Sequence, residues 1–169
     1  MTRTLGLFSS ITPEDGFHRT SATHIIITNH SVLPSSVTPN CTLHLYFSLP
    51  PLIFIDPYEL SNYAQFYTFK HWGTANLELP VQAVSQNNSW LLLNVNVPQE
   101  RVLWARDDPH LEAGHDEIDV ALEIKVPLHL RYGNPSYASN SGYDTTEMDW
   151  PTGFLSCPQS PHVSCESQS

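Results

Sequence analysis

The densest run of potentially reactive side chains is 107–117, Asp-Asp-Pro-His-Leu-Glu-Ala-Gly-His-Asp-Glu, which sets His110 and His115 among carboxylates. Imidazoles and carboxylates hold divalent metals, so a metal-dependent hydrolase is one chemistry this segment could serve. Its spacing is neither the two-histidine helix pattern of zinc proteases nor a Ca²⁺ loop. A solvated acidic loop between strands is the plainer reading, and no metal or cofactor is expected. No Gly-x-Ser-x-Gly nucleophile turn and no glycine-rich phosphate loop occurs. Cys41 lies in an alternating segment, where a thiol is ordinarily a small hydrophobe or half of a disulfide. Trp72, Trp90, Trp104 and Trp150 could stack on sugar rings, although aromatic side chains more often fill cores. His129 and Arg131 stand two residues apart in a strand-like run, so both would project from one sheet face. They form a candidate docking patch for a partner or an anionic group; the plainer reading is an Arg bonded to loop carbonyls and a His in solvent.

The composition narrows the classes. Only 14% of residues are charged and the formal net charge is −10, with seven Lys and Arg in all. A nucleic-acid binder needs clustered basic residues against phosphate, and these are few and scattered. An acidic surface equally disfavours anionic lipid headgroups. No apolar stretch approaches the ~20 residues that span a bilayer. The N-terminus shows no apolar core or cleavage site of a signal peptide. Three N-x-[ST] triplets, at Asn29, Asn40 and Asn87, and three cysteines, Cys41, Cys157 and Cys165, tilt the expectation towards a secretory route. A Cys41–Cys157 disulfide is the first choice and Cys157–Cys165 the second.

The elements that must position these groups are strands. Proline, Thr, Ser and aromatic residues are plentiful, which suits short strands joined by turns. His24–Thr28, Cys41–Phe47, Tyr63–Trp72, Leu77–Val84 and Ser89–Val97 read as strands, and the first twenty residues as a loop turning at Ile11–Gly16. Asp56, Pro57 and Glu59 form the N-terminal signature of a short helix, resembling a capping box. From Ile118 to Tyr132 apolar residues hold every second position while Pro127, His129 and Arg131 fall on the polar face. Fifteen residues exceed a usual strand, so two consecutive strands, or one bent strand passing between sheets, are expected. The fold class is all-β: one β-sandwich-like domain with at most one short helix near Pro57. A flexible N-terminal segment 1–15, a β domain 16–157 and a polar, disordered tail 158–169 complete the expected organisation.

The segment Leu49-Pro50-Pro51 followed by Asp56-Pro57-Tyr58-Glu59-Leu60 resembles a signature of the PIG-X family, whose fungal counterpart is the protease B non-derepressible protein. Val126-Pro127-Leu128-His129-Leu130-Arg131-Tyr132 resembles the second family signature, and Gly16-Phe17-His18-Arg19 an early one. Cys41 stands where the family has a cysteine, and Asn76–Pro80 and Leu103–Arg106 fit weaker patterns. The resemblance runs in order from about Gly16 to Cys157. It implies a glycoprotein of the endoplasmic reticulum membrane whose conserved part faces the lumen. It also implies a non-catalytic accessory subunit stabilising GPI mannosyltransferase I, the PIG-M-like enzyme that moves the first mannose from dolichol-phosphate-mannose to the GPI-anchor precursor. Family members carry a membrane helix after the lumenal domain. This chain has a polar tail there, so a fragment of a longer protein is expected. The docking candidates implied are Asp56, Pro57, Tyr58, Glu59, Leu60, Pro127, His129, Arg131 and Tyr132. Loss of Arg131 is expected to weaken the partner while leaving the domain folded. The alternative is a secretory-pathway carbohydrate- or protein-binding β-sandwich module.

Overall fold

The computed structural model describes residues 4–28, 42–76, 79–97, 118–132 and 145–156. Their order is β1 (Thr4–Thr12), β2 (His18–Thr28), β3 (Thr42–Leu49), β4 (Ile53–Phe54), α1 (Pro57–Ser61), β5 (Tyr67–Trp72), β6 (Ser89–Val95), β7 (Ile118–Leu130) and β8 (Thr152–Ser156), with a 3-10 turn at Val81–Ala83. Two four-stranded sheets form, ordered β1-β2-β7-β4 and β5-β6-β3-β8, and every recorded pairing is antiparallel. The all-β expectation holds.

Alternation explains the layering. In β3, Leu43, Leu45, Phe47 and Leu49 are buried, and in β6 so are Leu91, Leu93 and Val95. A pleated strand sends alternate side chains to opposite faces, so each presents one apolar row inward. Ile25, Ile124, Val126 and Leu128 of the other sheet join these residues in one core cluster. Tyr67 ties the layers: its hydroxyl donates to the Lys125 carbonyl at 3.0 Å. Burial pushes its phenol pKa well up, with Tyr63 and Glu59 adding to the effect, so it remains a donor at any physiological pH.

Several expectations need correction. Residues 4–12 are not loop: β1 pairs with β2 from Thr4↔Thr28 to Thr12↔Thr20. Its Ser and Thr residues hid the strand, and Ser9 and Thr23 meet across it, hydroxyl to hydroxyl, at 3.1 Å. The turn around Gly16 is present, with φ +103 at that glycine. Strand β5 begins at Tyr67 rather than Tyr63, because α1 runs on into turns through Tyr63 N–H→Leu60 O and Phe66 N–H→Tyr63 O. The described part of 77–84 is a 3-10 turn, not a strand. The Ile118 series is one 13-residue strand. It stays in one sheet, beside β2 along its length and beside β4 at His129 and Leu130. Pro127 stands beyond the end of β4, where β7 has no second ladder partner among the described residues, which is where a residue without an N–H is tolerated.

Candidate functional site

Helix α1 forms where its cap predicts. The Asp56 carboxylate accepts from the Tyr58 N–H at 2.8 Å, and Pro57 occupies the first turn. Glu59 does not mainly serve the cap. Its carboxylate reaches across to β7 and meets His129 Nε2 at 2.6 Å, seventy residues away in sequence. His129 is thus not in solvent; its side chain is 14% exposed. Phe54 of β4 and His18 of β2 are its register partners on the two sides. The Phe54 ring stacks at 5.2 Å and the His18 ring meets it edge-on at 4.6 Å.

Arg131 continues the cluster just past the end of β7. It is 5% exposed, and its guanidinium lies 4.3 Å from the Phe54 ring centroid. Nη1 donates to the carbonyls of Asn76 and Leu79, the latter at 2.9 Å. The backbone closes the same corner, with Arg131 N–H→Leu52 O at 2.8 Å and Val81 N–H→Tyr132 O at 3.1 Å. Desolvation lowers the guanidinium pKa from its usual value, yet an arginine remains cationic. Nη2 is buried and has no hydrogen-bond partner among the described residues.

The alternating phase therefore inverts at the end of β7. Tyr132, placed on the apolar face by the pattern, is 73% exposed, while Arg131 is inside. The reason is tertiary: the Leu52–Phe54 segment and the turn before Val81 fold over that end and cover the face that spacing called outer. Arg131 bonded to loop carbonyls is as the plainer reading had it. The contacts of its side chain run against the expectation that its loss spares the fold, since it holds Asn76, Leu79 and the Phe54 ring together.

The other implied residues divide cleanly. Tyr58 is 85% exposed; Leu60 and Pro127 are buried. Asn87 is exposed in the turn before β6. Asn29, Asn40, Cys41, Cys157, Cys165, Trp104, His110 and His115 lie outside the described residues. No cluster of three or more potential metal ligands occurs among the described residues. No helix among them is long and apolar enough to cross a membrane.

Spacing alone missed Phe54, Phe17 and the carbonyls of Asn76 and Leu79. A signal existed for some: Phe17 and His18 belong to the Gly16–Arg19 motif, and Asn76 and Leu79 to the Asn76–Pro80 motif. Phe17 packs on Tyr132 at 5.0 Å, and its carbonyl accepts from the Leu130 N–H at 2.8 Å. Three motifs dispersed through the chain thus gather around the fourth, the C-terminal end of β7.

Fold and site together define a two-sheet antiparallel β domain organised around a histidine–arginine strand end. A family model described as PIG-X / PBN1 matches residues 14–168, and the chain belongs to that family. It is similar to the pbn1 protein of Aspergillus oryzae, 30% identical over 88% of this chain and 26% of that protein. The pbn1 proteins of Emericella nidulans (30% identical, 86% of this chain, 26% of the relative) and Aspergillus fumigatus (33% identical, 73% and 24%) are also similar. The chain thus spans about a quarter of the length of these relatives. No solved structure matches it. The PIG-X/PBN1 family belongs to GPI-anchor biosynthesis in the endoplasmic reticulum and is associated with GPI mannosyltransferase complexes.

One electrostatic consequence sits outside this cluster. Burial lowers the pKa of His71 below its ordinary 6.5, and His71 Nε2 has no hydrogen-bond partner among the described residues. The unfolded chain therefore binds this proton more readily than the folded one. Stability is full above about pH 6.5 and falls as the pH drops from there towards the folded-state value. Urea midpoints of wild type and His71→Gln, compared between pH 7.5 and 5, should converge on acidification. A constant gap would remove His71 from the account.

Proposed function

We propose that this chain is the lumenal β domain of a non-catalytic accessory subunit that stabilises GPI mannosyltransferase I. The observation that carries the reading is the convergence of the Asp56–Leu60 and Pro127–Tyr132 segments through the Glu59–His129 contact. Such a contact fixes a surface rather than a reaction. Within the two segments Tyr58 and Tyr132 are the most exposed aromatic residues, and Phe17, beside Tyr132, is half exposed. Exposed tyrosines on a rigid base suit a protein interface, because they offer large contact area at low entropic cost. His129 and Arg131 hold that surface from beneath, and the partner surface is a lumenal loop of the multi-spanning catalytic subunit. Binding only the folded form of that subunit raises its stability by mass action. A glycan on exposed Asn87 fits a lumenal setting.

The test uses a longer protein containing this domain, expressed in cells lacking the accessory subunit. Tyr58→Ala combined with Tyr132→Ala is expected to lower catalytic-subunit abundance and surface GPI-anchored proteins severalfold, with the domain melting as wild type does. Normal levels of both would sink this docking surface.

A further inference from the structure

At the β5–β6 end of the sandwich lies a cleft of about 220 Å³. Its walls include Ile53, Thr74, Asn88, Ser89, Trp90 and Arg131, and among the described residues no carboxylate lines it. That is notable in a chain of net charge −10. Among the described residues Arg131 contributes the one positive charge of the lining, and it carries the buried Nη2 whose N–H groups meet no acceptor among those residues. An unsatisfied buried donor is unfavourable and is relieved by an acceptor that enters from outside the chain.

The same end bears two tryptophans. Trp72 and Trp90 are direct cross-strand partners, 48% and 42% exposed. Opposed residues of an antiparallel pair share a face, so the two indoles form a neighbouring aromatic pair on the outer face. Asn88 lies beside them, its amide donating to the Ser48 hydroxyl at 2.9 Å. Apolar indole faces, amide and hydroxyl groups, and one guanidinium have a combined chemistry. Indoles take the C–H face of a sugar ring, amides and hydroxyls take its hydroxyl groups, and arginine takes a carboxylate or phosphate in its planar fork.

We propose that this cleft is a binding site for an anionic sugar, with the ring against Trp90, a lining residue, extending onto its cross-strand partner Trp72 at the rim, and the acidic group towards Arg131. The cleft shares Arg131 with the base of the docking surface proposed above but uses neither of its tyrosines, and it is tested on the 169-residue chain alone. The acidic group is a phosphate or a carboxylate, and separate titrations distinguish them. Calorimetric titration would use a hexose 6-phosphate, a hexuronate, the neutral hexose and inorganic phosphate as probes. At least one anionic sugar should bind about tenfold or more tightly than either the neutral hexose or inorganic phosphate, a difference of one decade in Kd. Trp90→Ala and Trp72→Ala, both at half-exposed positions, should each weaken it severalfold without changing the melting temperature. Arg131→Lys should erase the preference for the anionic sugar over the neutral one. No binding of either anionic sugar overturns the proposal. So does binding that both tryptophan variants retain in full, or binding no tighter than that of inorganic phosphate.

Discussion

Replacing Arg131 by alanine is expected to lower the stability of the domain by about 2–4 kcal/mol, from the range for hydrogen bonds to charged groups and the loss of a cation–π contact. The side chain holds the carbonyls of Asn76 and Leu79 and lies on the Phe54 ring. Truncation leaves those carbonyls without that donor at a corner where β7, β4 and the segment before Val81 meet. Part of the loss is offset, because alanine no longer requires a guanidinium to be desolvated. Arg131→Lys should recover only part of the difference, since an ammonium is a point donor and cannot reproduce the planar fork. Urea unfolding measures both variants. An alanine variant unfolding at the wild-type midpoint would show that this corner is not held by Arg131. The result bears on function as well: a drop in partner abundance with Arg131→Ala reports lost folding, whereas the same drop with the Tyr58/Tyr132 pair reports lost contact.

Gly73→Ala should cost a comparable amount, about 2–4 kcal/mol, summing left-handed backbone strain and overpacking. Gly73 has φ +119, and a Cβ there would stand 2.4 Å from Ser89 Cβ and 3.0 Å from Ser89 Cα. Ser89 begins β6 and is buried, so the clash falls on a paired strand and cannot be relieved by a side-chain rotation. Gly16 supplies the control. Its φ is +103, but a Cβ added there meets nothing within 4 Å. Gly16→Ala should therefore show the backbone part alone, about 1–2 kcal/mol. Equal losses at the two glycines would mean that the contact with Ser89 contributes nothing. Because Gly73 also lines the cleft with Arg131 and Trp90, a destabilised Gly73→Ala chain should lose ligand binding along with its fold.

The alternation in β3 and β6 and the Asp56–Pro57 cap were legible because they are local. A period of two fixes which side chains share a face, and a cap needs only its own neighbouring N–H groups. The all-β class follows from those local patterns, and the family resemblance lay in motif order along the chain. The identity of the partners of Glu59, His129 and Arg131 was not legible. His129 and Arg131 shared the polar phase of their strand with Asp119, Glu123 and Lys125, and nothing in spacing separates a side chain covered by another segment from one left in water. Burial at that end is decided by Phe54, α1 and the turn before Val81, brought there by pairings between residues 51–79 places apart or by the packing they permit. The serine- and threonine-rich β1 was hidden for the same reason. Its strand exists because β2 lies beside it, and a ladder satisfies backbone groups whatever the side chains. Local chemistry thus determined the elements and their inward faces. Only the long-range packing decided which polar residues became the interior of a site and which, like Tyr132, were left on its surface.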